Sequence, residues 1–71
     1  MEPLNEPQQK VYDSIVRHWR DWGYAPTVRA IQKDIGAKSP SGVHEHLKSL
    51  QEKGWIHRTP GKAGSITVVE Q

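Results

Sequence analysis

At 71 residues, with 34% apolar and 25% charged side chains and a net charge of +2, the chain is sized for one small domain. A core and a deep substrate cavity do not both fit, which favours a binding module over an enzyme. The lack of cysteine excludes disulfides and thiolate metal sites; no apolar run nears the roughly 20 residues that span a bilayer, and "MEPLNEPQQK" lacks the basic start and apolar block of a signal peptide, so the expected setting is the cytoplasm.

The first helix is expected over about residues 6–22. Asn5 is a suitable N-cap, Gln8 three residues on completes a capping-box pattern, and Pro7 is tolerated in the first turn. Val11, Ile15, Trp19 and Trp22 recur at helical spacing, with Val16 widening the apolar stripe. Asp13–Arg17 and Arg17–Asp21 are spaced four apart, as ion pairs along a solvent face would be. Gly23 supplies the stop.

In "YAPT", Pro26 biases Ala25 away from helix. Thr27 then caps a short second helix, residues 28–35, with Ile31 and Ile35 facing inward and Gly36 ending it. The glycine-led linker "GAKS" is short enough to join two helices at a steep angle. Ser39 as cap with Pro40 at the first helical position begins a third helix, about residues 40–53, whose buried stripe is Val43, Leu47 and Leu50. Beyond Gly54, "WIHR" and "SITVV" read as strands, about 55–58 and 65–69, around a six-residue turn, Thr59 to Gly64. The order predicts an α+β fold of one domain, residues 1–71: three helices in a winged helix-turn-helix, closed by a C-terminal two-stranded β-hairpin wing.

Charge divides along the chain. Residues 1–27 hold three cations against four carboxylates, and residues 28–62 hold seven cations (Arg29, Lys33, Lys38, Lys48, Lys53, Arg58, Lys62) against three carboxylates. A basic half points towards a polyanion, although scattered surface lysines also serve solubility alone.

The stretch "AKSPSGVHEHL" carries the most information about function. At about 100° per residue, with Val43 at the centre of the buried face, Leu47 and Leu50 fall within about 40° of it. Ser41, Glu45 and Lys48 fall opposite, and His44 and His46 diverge by about 160°. Two imidazoles so placed cannot share an ion, which on a helix needs a spacing of three or four; no metal site is expected. His46 is expected to flank the core and His44 to face solvent. Small residues at the helix start (Ser39, Pro40, Ser41, Gly42) cap it, and they also keep it slim. In a helix-turn-helix protein that end lies in the major groove, where short hydroxyls and open N–H groups meet base edges and phosphates.

Taken together, "LNEPQQKVYDSI", "GYAPTVRAI", "IGAKSPSGVHEHLKSLQEKGWI" and "SITVV" resemble the N-terminal DNA-binding domain of the LexA family of SOS-response repressors over essentially the full length. The resemblance implies a double-stranded DNA operator of inverted-repeat form as partner. It implies base-reading residues at Ser39, Ser41, Gly42, His44 and Glu45, and phosphate contacts from Thr27, Arg29 and the wing. The charge pattern adds Lys38, Lys48, Lys53 and Lys62 as phosphate candidates. "SGVHEHL" is similar to the Gram-positive version of the family, with its histidine at the position of His44. Full-length members carry a C-terminal serine–lysine self-cleaving domain that also dimerises them and cuts an Ala–Gly bond in a linker. Ala63–Gly64 here falls in the expected wing instead, and no catalytic residue is expected in this chain. No cofactor, metal, membrane or small-molecule ligand is expected, and the chain is expected to be a monomer alone and a dimer on DNA. Two alternatives stay open: a winged helix used for protein contact, with Trp19, Trp22 and Trp55 as its apolar area, and an excerpt of a longer self-cleaving repressor.

Overall fold

Asn5 and Gln8 form a reciprocal cap: the Gln8 N–H donates to Asn5 Oδ1 at 3.0 Å and the Asn5 N–H donates to Gln8 Oε1 at 3.2 Å. From this cap α1 runs Glu6–Trp22 in the computed structural model, which describes residues 3–58 and 66–69. Gly23 ends it at φ 77°, a left-handed turn that costs glycine nothing and a β-carbon-bearing residue about 1–2 kcal/mol. Thr27 Oγ1 accepts from the Ala30 N–H at 3.1 Å and opens α2, Val28–Ile35, which Gly36 stops at φ 73°. Pro40 starts α3, Pro40–Glu52, one residue shorter than expected because Lys53 is its C-cap.

Helix spacing places Val11 and Ile15 of α1, Ile31 of α2, and Val43, Leu47 and Leu50 of α3 at one centre, all with no solvent exposure. The strands β1, Ile56–Arg58, and β2, Ile66–Val68, pair antiparallel with Ile56 opposite Val68 and Arg58 opposite Ile66. The two-residue period turns Ile56 and Ile66 into the core and His57 and Thr67 outward. This is the expected α+β winged helix with its β-hairpin. Both strands are shorter than expected: Trp55 precedes β1 and Val69 follows β2, although the Val69 N–H still donates to the Trp55 carbonyl at 3.0 Å. Trp55 packs edge-on against Tyr12, ring centroids 5.2 Å apart. The expected turn, Thr59 to Gly64, and Ser65 lie outside the described residues.

Two expectations for α1 need correction. Its apolar stripe does not stay buried: Trp19 is 37% and Trp22 66% exposed. Trp22 instead stacks loosely with His18 and Tyr24 (centroids 6.2 and 6.5 Å) at the end of α1, beside Pro26 and Ala30 at the start of α2. Nor does Arg17 pair along its own helix. It reaches across to Asp34 of α2, while Asp13 accepts from Gln9 Nε2 at 2.9 Å and Asp21 sits 3.5 Å from Arg20. A partner on a packed neighbouring helix displaces the weak i,i+4 pairs that spacing suggests.

Among the described residues, Asp34 is the one carboxylate whose titration the fold moves clearly. The Ser14 hydroxyl, then the Arg17 guanidinium and the positive side of His18, hold it below the usual carboxylate range, with partial burial opposing. A depressed folded pKa contributes stability that is present above the ordinary aspartate value, near 3.9, and is lost as pH falls through the folded value. Asp34→Asn is therefore expected to destabilise the chain at neutral pH by on the order of half a kcal/mol, the small size reflecting a solvent-screened pair. Urea midpoints of the two chains should converge as the pH drops below about 3.9; a gap that persists at pH 2 would assign the effect to lost packing.

Candidate nucleic-acid interface

The first turns of α3 present one side to solvent. Ser39, Pro40, Ser41, His44, Glu45 and Lys48 are all exposed, on the side opposite the fully buried Val43, Leu47 and Leu50. Gly42 and His46 are half-buried at its flanks. His44 and His46 thus stand on different sides of the helix, and among the described residues no group of three or more His, Cys, Asp or Glu is placed to hold a metal ion.

Ser39 occupies the N-cap position with extended backbone, φ −146° and ψ 156°, but its side chain makes no cap hydrogen bond. Its hydroxyl instead lies 3.0 Å from that of Ser41. The Pro40 ring has no N–H to offer, and no side chain closes off the next amides. The end of α3 is therefore open to an external acceptor, with the positive end of the helix dipole behind it.

Beside it, α2 and α3 enclose an open cleft of about 710 Å³, lined by Val28, Arg29, Lys33, Ala37, Pro40 and His44 among others. On α2, Arg29 and Lys33 are one turn apart, while Asp34 lies about 140° round from Arg29. Arg17 meets Asp34 on that far side, so the cleft keeps its cations without a facing carboxylate from α2. None of the ion pairs among the described residues involves Arg29, Lys33, Lys38 or Lys48. Lys33 was not singled out by sequence reasoning; its spacing of four from Arg29 is the signal that marks it.

Thr27, Arg29 and Lys38 are exposed, Thr27 at the start of α2 and Lys38 in the turn between α2 and α3. Glu45 is exposed within the same face as Ser41, a negative group among hydroxyls and cations. Lys53 is placed differently. Its ammonium donates to the Pro3 carbonyl at 3.2 Å and to Gln8 Oε1 at 3.1 Å, about 18 Å along α3 from Ser41. There it braces the start of α1 and fills the last acceptor of the nearly buried Gln8. Lys62 lies outside the described residues. Away from the cleft, His18 sits under Trp22 and Tyr24 with its Nε2 buried and without a hydrogen-bond partner among the described residues.

Residues 1–65 match the family described as the LexA DNA binding domain. The chain is 44% identical to the LexA repressor of Desulfatibacillum aliphaticivorans over 70 residues, 99% of this chain and 34% of the relative. It is 41% identical to that of Staphylococcus epidermidis over 71 residues, 100% of this chain and 34% of the relative. It is 37% identical to that of Carboxydothermus hydrogenoformans over 68 residues, 96% and 33% respectively. The chain thus spans about a third of the length of the curated relatives it matches, and the matched part is the DNA-binding one. No helix among the described residues is long and apolar enough to cross a membrane. With three helices, a hairpin and this match over nearly its whole length, the chain belongs to the LexA DNA-binding domain family.

Proposed function

We propose that the chain represses transcription by occupying an inverted-repeat operator, with the start of α3 in the major groove and the wing along the backbone. One observation carries the reading: α3 buries Val43, Leu47 and Leu50 completely while Ser39, Ser41, His44 and Glu45 of its slim N-terminal half face outward, beside α2 cations that enter no ion pair among the described residues. Ser41, Gly42 and His44 read base edges at close approach, and Ser39 contributes its hydroxyl at the rim. Glu45 accepts from a cytosine amino group, one of the recurring carboxylate contacts in the major groove. Thr27, Arg29, Lys33, Lys38, Lys48 and Lys62 meet phosphates. Lys53 is left out of this set because Pro3 and Gln8 already occupy its ammonium. Two copies on adjacent half-sites supply the symmetry of the repeat, and SOS-type control of DNA-damage genes follows from the family.

The test is a titration of labelled duplex at several salt concentrations. Affinity falling steeply with salt, and exceeding that for a scrambled duplex by about a thousandfold or more, is the expected result. Flat salt dependence, or equal affinity for both duplexes, contradicts the proposal.

A second reading, protein contact without base recognition, draws on the 66% exposure of Trp22 and 57% exposure of Tyr24. The DNA titration separates the two: equal, salt-insensitive affinity for both duplexes together with a Trp22 freely accessible to acrylamide favours protein contact, whereas sequence-selective binding that leaves Trp22 quenchable favours α3 as the groove face.

A further inference from the structure

We infer that Trp19 is a positioning residue for the wing: its indole N–H closes the outer edge of β2 and fixes the angle at which the hairpin leaves the helices. This inference rests on the operator reading above for its consequence, though not for its geometry. Because the Val69 N–H donates to the Trp55 carbonyl, residues 55 and 69 form a hydrogen-bonded pair. Alternation along an antiparallel ladder makes 57 and 67 the next bonded pair and 58 and 66 a non-bonded one. The Ile66 carbonyl therefore points away from β1, out of a sheet that has two strands among the described residues. Trp19 Nε1 donates to that carbonyl at 3.1 Å.

Ile66 is thus held from both sides: its side chain lies in the core at 4% exposure, and its main chain is tied to α1. The same helix is locked to α2 two residues earlier, through Arg17 and Asp34. A continuous path runs from the hairpin through α1 to the helix pair that carries the recognition face. A two-stranded sheet is marginal on its own, so its direction depends on such ties. Trp19 also covers an edge that would otherwise offer unpaired main-chain groups to another strand.

Trp19→Phe keeps an aromatic ring and removes the N–H. A chemically synthesised chain with benzothienylalanine at position 19 keeps the bicyclic shape as well, and guards against a packing defect in the phenylalanine variant. Three readouts are compared with wild type: amide exchange of Ile66 to Val69, affinity for a duplex enriched by the wild-type chain from a random pool, and the effect of Lys62→Ala in each background. Faster exchange in β2, about fivefold weaker binding and a salt slope reduced by about one unit are expected, with unchanged base preference. Lys62→Ala should weaken wild type severalfold and the position-19 variants hardly at all, since a wing already misdirected has no contact to lose. Unchanged exchange in both variants overturns the brace. Additive effects of positions 19 and 62 overturn its role in aiming the wing, even if stability drops. Should the wild-type chain enrich no duplex, the operator reading fails, and exchange of Ile66 to Val69 alone decides whether Trp19 holds the hairpin.

Discussion

Replacing Leu47 by alanine is expected to cost about 2–5 kcal/mol of stability, the range for emptying a fully buried leucine site. For 71 residues the total stability is roughly 4–10 kcal/mol, so a large fraction of that stability would be lost. Leu47 has no exposure and lies in the middle of α3, in one buried cluster with Val11 and Ile15 of α1, Ile31 of α2 and Ile56 of β1. A hole in so small a close-packed core relaxes only in part. Urea denaturation should show a lower midpoint with the same slope. A loss below about 1 kcal/mol would mean that the neighbours collapse into the space, and that the helices are held less tightly than the burial pattern implies.

Gly42→Leu is expected to move stability and DNA binding in opposite directions. A β-carbon at Gly42 meets nothing within 4 Å, and the backbone there is outside the left-handed region. Exchanging glycine for leucine inside a helix then gains about 0.5–1 kcal/mol of helix preference. In the proposed complex the same side chain stands between α3 and the base edges. One displaced set of base contacts costs about 1–3 kcal/mol, so specific affinity should fall by about tenfold or more, with less effect on scrambled duplex. Thermal melting and a DNA titration on the same sample check both halves. A variant that is more stable and binds as wild type does would show that position 42 lies outside the contact. The unfilled space at Gly42 is then a cost in stability with no return in function.

The framework of the fold is legible in the sequence because it is set by short-range signals. Asn5 with Gln8, Thr27, Gly23 and Gly36 act within one helical turn of themselves, and each ends or begins a helix as its chemistry requires. The spacing of Val43, Leu47 and Leu50 likewise fixes which side of α3 is outward, and with it the exposure of Ser41, His44 and Glu45. What escapes are the choices made between elements. Helical spacing lines up Trp19 and Trp22 with Val11 and Ile15, but it does not say how much of that stripe the neighbouring elements cover, so the exposure of both indoles is invisible. Arg17 has carboxylates at both i−4 and i+4 and selects neither, because Asp34 is brought to it by packing. Lys53 reads as a surface cation until the fold sets Pro3 and Gln8 beside it. The pairing of Trp19 with the Ile66 carbonyl depends on which face of the ladder that residue falls on, a matter of strand register across 47 residues.

Selection of bound sequences from a pool of random duplexes tests most directly whether the outward face of α3 reads DNA. The wild-type chain should enrich a motif with half-site symmetry, and His44→Ala should relax or alter the preferred bases at one position of each half-site while leaving the remainder intact. A pool that stays random after repeated rounds, or a motif identical for both chains, would contradict the account.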